Sequence, residues 1–165
     1  MGYVTDSALF NRLLEQVKSF ADISEASGAS GLSIRSIDWI EFNVRGFWPY
    51  IVELAKRSSD DTIYFVDVEK AADDSFYRAC GKFPAVSLST GMTEEEYTTA
   101  LYETPGGNLS QAFAPTFTDA YFMIPASGAW RVFGDSDTEQ GKVISTVGLP
   151  PDELFPHDFL DAPNA

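Results

Sequence analysis

The sequence predicts a single α+β domain, a mostly antiparallel sheet with an N-terminal helix and two further helices. Three observations predict it. An apolar stripe recurs at helical spacing over residues 7–22. The run Thr62-Ile63-Tyr64-Phe65-Val66-Asp67-Val68-Glu69 is β-branched and aromatic, as strands are. Residues 121–124, 130–133 and 142–147 are short apolar segments joined by turn-rich connections, the pattern of an antiparallel meander. No internal repeat is visible, and no linker separates two cores. Residues 1–149 therefore read as one domain, and 150–165, which hold acids but no base, as an acidic Pro-rich tail that wraps the surface or frays.

Taken in order, Leu9, Leu13, Val17 and Phe20, with Phe10 and Leu14 beside them, make the first helix, capped by Asp6 or Ser7. Residues 24–33, rich in Ser, Ala and Gly, read as a mobile connection. Ile37, Trp39, Ile40, Phe42 and Val44 are too dense for clean alternation, so 34–45 reads as a strand with a bulge. Pro49 suits the first turn of a helix in which Ile51, Leu54 and Ala55 face one way and Lys56-Arg57 complement the C-terminal dipole. After the strand at 62–69, Phe76–Ala79 and Ala85–Leu88 read as short strands around Gly81-Lys82-Phe83-Pro84. Thr93 and Glu96 form a capping box for a helix over 93–104, which Pro105-Gly106-Gly107 stops.

Charge narrows the function. The 165 residues carry 25 Asp+Glu against 11 Lys+Arg, a formal net charge of -14. Such a surface repels a phosphate backbone, so nucleic acid is excluded as a partner. With 44% apolar or aromatic residues and 22% charged, disorder fits poorly. Residues 1–59 hold seven acids and six bases, whereas 60–165 hold eighteen and five, so nearly all the excess lies in the later part. That asymmetry predicts one charged face. One cysteine, Cys80, fits a reducing compartment. No secretory signal or membrane-length apolar run is present, and the expected location is cytoplasmic, with no membrane partner.

A search for chemistry finds no enzyme signature. Gly81-Lys82 and Gly141-Lys142 lack the Ser or Thr of a phosphate loop, and no Gly-x-Gly-x-x-Gly occurs. One histidine, His157, cannot build a Cys/His zinc cluster; it reads as a solvated tail residue, with Asp158 and Asp161 as the alternative metal partners. Ser87-Leu88-Ser89-Thr90-Gly91 is not a nucleophile elbow. Asp135, Asp137 and Glu139 alternate like a calcium loop, but Gln140 replaces the required glycine, so solvated turn residues are expected. No catalytic residue, metal or cofactor is expected.

Phe 13, Tyr 7 and Trp 3 make 14% of the chain, and many lie among acids. About two-thirds read as core; the remainder, exposed beside carboxylates, suits a protein-binding face. The segment Asp119-Ala120-Tyr121-Phe122-Met123-Ile124-Pro125-Ala126-Ser127-Gly128-Ala129-Trp130-Arg131-Val132-Phe133-Gly134-Asp135 resembles the aromatic strand–turn–strand of small bacterial immunity proteins of polymorphic, type VI and contact-dependent toxin systems. It covers seventeen residues and carries over no family-specific binding residue. The resemblance implies a stoichiometric inhibitor of a cognate toxin with a basic surface, such as a nuclease. Clustered carboxylates would be steered to a cationic cleft, with aromatics as desolvated anchors. The candidate contacts are Asp60, Asp61, Asp67, Glu69, Asp135, Asp137 and Glu139, with Tyr64 and Trp130; plain surface solvation is the competing reading of each acid. Two other functions stay open: a metal-dependent hydrolase using Asp67, Glu69 and Asp135, and an acidic adaptor subunit.

Overall fold

The computed structural model describes residues 2–25, 31–37, 42–106 and 109–156. The readings at residues 26–30, Trp39, Ile40, Gly107, His157, Asp158 and Asp161, and the side chains of Phe20 and Ile37, lie outside them. The described residues form four α-helices and seven strands: β1 (Gly2–Tyr3), α1 (Ser7–Glu25), β2 (Ser33–Ile37), α2 (Phe47–Ser58), β3 (Thr62–Asp67), α3 (Ser75–Cys80), β4 (Ala85–Ser89), α4 (Glu94–Tyr102), β5 (Ala120–Pro125), β6 (Trp130–Asp135) and β7 (Gln140–Ser145). The strands make one antiparallel sheet in the order β1-β4-β3-β5-β6-β7-β2. The α+β expectation holds, and β5–β6–β7 is the meander. Among the described residues, no helix is long and apolar enough to cross a membrane.

Helices cover both faces of the sheet. Ile63 and Phe65 of β3, Tyr121 and Met123 of β5, and Trp130 and Val132 of β6 share one core with α2 and α4. Their alternates Val66, Phe122 and Ile124 share the second core with Phe10 and Leu13 of α1. Covering on both sides explains why Tyr121-Phe122-Met123-Ile124 is apolar without alternation, since neither face of that central strand meets water. α1 begins where Asp6 Oδ1 accepts from the N–H groups of Ala8 and Leu9, at 2.8 and 3.0 Å.

Two strand readings need correction. Phe76–Ala79 is helical: α3 ends in Gly81, whose φ of 67° returns its N–H to the Tyr77 carbonyl. Residues 42–46 are turns, not the continuation of a bulged strand. Gly46 takes φ 91° to start α2. The two residues of β1, unread in the sequence, add an edge strand beside β4. The tail boundary at 149 also does not end the packed chain: Phe155 is buried against Tyr50, with the Arg35 guanidinium 3.6 Å from its ring centre.

α4 and α2 are pinned together by polar bonds around an aromatic stack. Thr93 and Glu96 complete the expected capping box. Glu94 does more than face the helix dipole, because its Oε1 accepts from the Gly46 N–H at 2.6 Å and so caps α2. Trp48 stacks on Tyr97 at 4.4 Å, and the Tyr97 hydroxyl donates to the Phe42 carbonyl. Thr93→Ala should cost about 1 kcal/mol of stability, the usual loss for an N-cap hydroxyl. Urea unfolding at pH 7 would read it, and an unchanged midpoint would show that the box contributes nothing.

Candidate functional site

The sheet separates the predicted acids into two groups. β3 enters after Asp60-Asp61 and ends at Asp67, so that pair and Asp67 sit at opposite ends, about 20 Å apart at strand rise. At the entry end, Asp60 is committed to structure. Its carboxylate accepts from the Ser127 N–H and hydroxyl, at 2.9 and 2.6 Å, and from the Ser58 hydroxyl at 2.5 Å. Ser58 in turn accepts from the Trp130 indole N–H at 3.2 Å. Asp61 is exposed.

The exit end gathers the rest. Asp67, the Ala120 start of β5, Asp135 and the β6–β7 turn follow one another along adjacent strands. Glu69 accepts from the Asp119 N–H at 3.3 Å, and Asp119 accepts from Ser136 through both its carbonyl and its carboxylate. Asp135 Oδ1 accepts from the N–H groups of Asp137 and Thr138, an Asx turn that fixes the hairpin. Glu139 completes it at φ 51°. Glu69, Asp119, Asp137 and Glu139 are exposed, and Asp135 is half-buried. These five carboxylates form an acidic rim on loops tied to one another. Lys70 and Lys142 are the bases beside them in the chain.

Two predicted contacts are corrected because they are interior. Trp130 is 1% exposed and fills the core under α2. Asp67 is 3% exposed, because alternation along β3 puts it on the face of Ile63 and Phe65. Its carboxylate is paired with Lys70 at 2.5 Å and accepts from the Thr118 hydroxyl at 2.8 Å. Burial pushes the Asp67 carboxyl upward, and the Lys70 and Thr118 bonds oppose that shift. Tyr64 is half-buried against the second core. Tyr121 and Phe122, which carry the hairpin resemblance together with Trp130, are fully buried and set the sheet.

The aromatic rings that reach the surface near the rim are others. Phe117 is 53% and Tyr102 48% exposed, and they meet edge to face at 6.3 Å. Lys70 ties this pair to the rim by donating to the Phe117 carbonyl at 3.0 Å, while Thr118 and Asp119 follow in the chain. Asp119 and Phe117 were not singled out from the sequence. A usable signal was their place, in the Thr116-Phe117-Thr118-Asp119 connection leading into the meander.

For metal chemistry, no group of three or more His, Cys, Asp or Glu side chains among the described residues is arranged to hold an ion. Fold and rim together define a single α+β domain whose antiparallel sheet ends in an acidic, aromatic-flanked edge. Comparison with protein-family models, with curated proteins and with solved structures gave no match.

Proposed function

We propose that the protein binds a basic protein through the exit end of its sheet and neutralises it, in the manner of a toxin-immunity protein. The observation that carries the reading is the acidic rim of Glu69, Asp119, Asp135, Asp137 and Glu139 beside the exposed Phe117–Tyr102 pair. Carboxylates on neighbouring loops, held by Asx and interloop bonds, present negative charge without the ordering cost of a flexible tail. Such a field steers a cationic partner, and Phe117 and Tyr102 supply apolar area at the contact.

Co-expression with the product of the adjacent gene tests this. Rescue of growth and a stable co-purified complex are expected; toxicity that persists with the protein present would sink the reading. The association rate should fall about tenfold or more between low and physiological salt, because the field is screened over roughly 8–10 Å. Glu69→Gln, Asp137→Asn and Glu139→Gln together should lower the low-salt rate and flatten its salt dependence. Phe117→Ser should change stability by less than about 0.5 kcal/mol, as exposed substitutions do, yet speed dissociation of the complex. Stopped-flow association and dissociation traces separate the two effects.

A further inference from the structure

We infer that the cleft between α3 and the helical turn Gln111–Phe113 receives an aromatic side chain carried on a basic loop of the partner; this rests on the binding role proposed above. The cleft measures about 260 Å³ and is lined by Lys70, Ser75, Phe76, Ala112 and Phe113. Small-molecule sites typically span roughly 300–1,000 Å³, so this one suits a single large side chain better than a whole metabolite. Its walls are chosen for a ring. Of its lining residues two are aromatic, the buried Phe76 and the half-buried Phe113, 5.6 Å apart and tilted by 41°; a third ring seated in the cleft would meet them through edge or offset contacts.

The polar groups set how the occupant enters. Lys70 gives two of its three ammonium protons to Asp67 and the Phe117 carbonyl. Among the described residues its third has no acceptor, and Lys70 is one of the residues lining the cleft. A main-chain carbonyl next to the inserted ring would take that proton. Exposed acids flank the opening in sequence: Glu69 precedes Lys70, and Asp73 and Asp74 precede Ser75. Asp74 already pairs with Arg78 at 2.7 Å, but both side chains are 71% exposed, and such a pair exchanges at little cost. Residues beside the ring are therefore expected to be Arg or Lys. The same charge argues against a second copy of this chain as occupant, because each copy carries a net charge of -14.

The test is an amide NMR titration with the peptide acetyl-Arg-Trp-Arg-amide, alongside its Arg-Ala-Arg and Glu-Trp-Glu counterparts. The first should give saturable shifts centred on residues 75–77 and 112–113, and the other two should bind at least tenfold more weakly. Ala112→Trp, at an exposed position, should fill the cleft and abolish the shifts with the thermal midpoint unchanged. Ala112→Leu provides a milder block should the larger ring disturb the fold. Equal binding of all three peptides, or undiminished binding to a folded Ala112 variant, overturns the inference. Because the peptides report on the cleft alone, this result is independent of toxin rescue. Failure of rescue with a responding cleft would discard only the neutralising role.

Discussion

Lys70→Met should destabilise the protein by about 3 kcal/mol at pH 8, and by clearly less at pH 5. The substitution keeps the aliphatic stem but removes the cation from Asp67, whose carboxylate is 5% exposed. Removing one partner of a buried pair strands the other charge, which costs more than the pair contributes. The pH dependence follows from proton uptake. Burial already raises the Asp67 carboxyl above its ordinary value, and the largest opposing influences come from Lys70. Without Lys70 the folded-state pKa rises further, while the unfolded value stays near about 3.9. Between those two values the folded state holds the proton and the unfolded state does not, so stability falls as pH rises through the window. Above it the full cost of the stranded carboxylate is present; towards its lower end the carboxyl is neutral and the cost shrinks. Urea titrations of the parent and the variant at pH 5 and pH 8 measure the difference. A loss equal at both pH values would refute the account. Asp67→Asn combined with Lys70→Met should restore most of the stability, since the amide oxygen still accepts from Thr118 and no charge remains buried.

That buried pair also shows how far the sequence could be read. Strand β3 was evident from its β-branched and aromatic run, and alternation from Ile63 and Phe65 already carries Asp67 to the interior face. Lys70, three residues on, was its available partner. What alternation alone does not disclose is that both faces of the sheet are covered, so residues of either parity can be interior. For the same reason Trp130 looked eligible for the surface, although its strand alternates cleanly between buried and half-buried positions. The sequence reads Phe76–Ala79 as a strand because Phe-Tyr weighs towards β structure, whereas the segment is helical. Asp73-Asp74 before it and Gly81 after it are helix start and stop signals, and they decide the matter once the six-residue helix is packed. The acidic rim was half legible. The hairpin acids Asp135, Asp137 and Glu139 follow from the turn, but their meeting with Glu69 and Asp119 needs the strand order β3-β5-β6-β7, which no local pattern encodes. The Glu94 bond to Gly46 is of the same kind, joining residues 48 apart in the chain.

Trp130→Ala should cost about 3–5 kcal/mol, the range for deleting a large aromatic side chain from a packed core. Against a typical domain stability of roughly 5–15 kcal/mol this removes a large fraction of the total. The ring is 1% exposed and shares a core with Ile63, Phe65, Leu54 and Val132. Its indole N–H also anchors the chain of bonds from Ser58 to Asp60 and on to the Ser127 turn, so the cavity is accompanied by a loosened β5–β6 connection. Trp130→Phe fills most of the space and removes only the N–H, and should cost about 1–2 kcal/mol. The decisive comparison is between stability and binding. If Trp130 acts from the core, Trp130→Ala at a temperature where it remains folded should associate with the basic partner at nearly the parent rate, because the rim at the opposite end of the sheet is untouched. Trp130→Ala with the parent's urea midpoint but no affinity for the partner would instead make the ring a contact, and would move the binding surface to the Asp60 end.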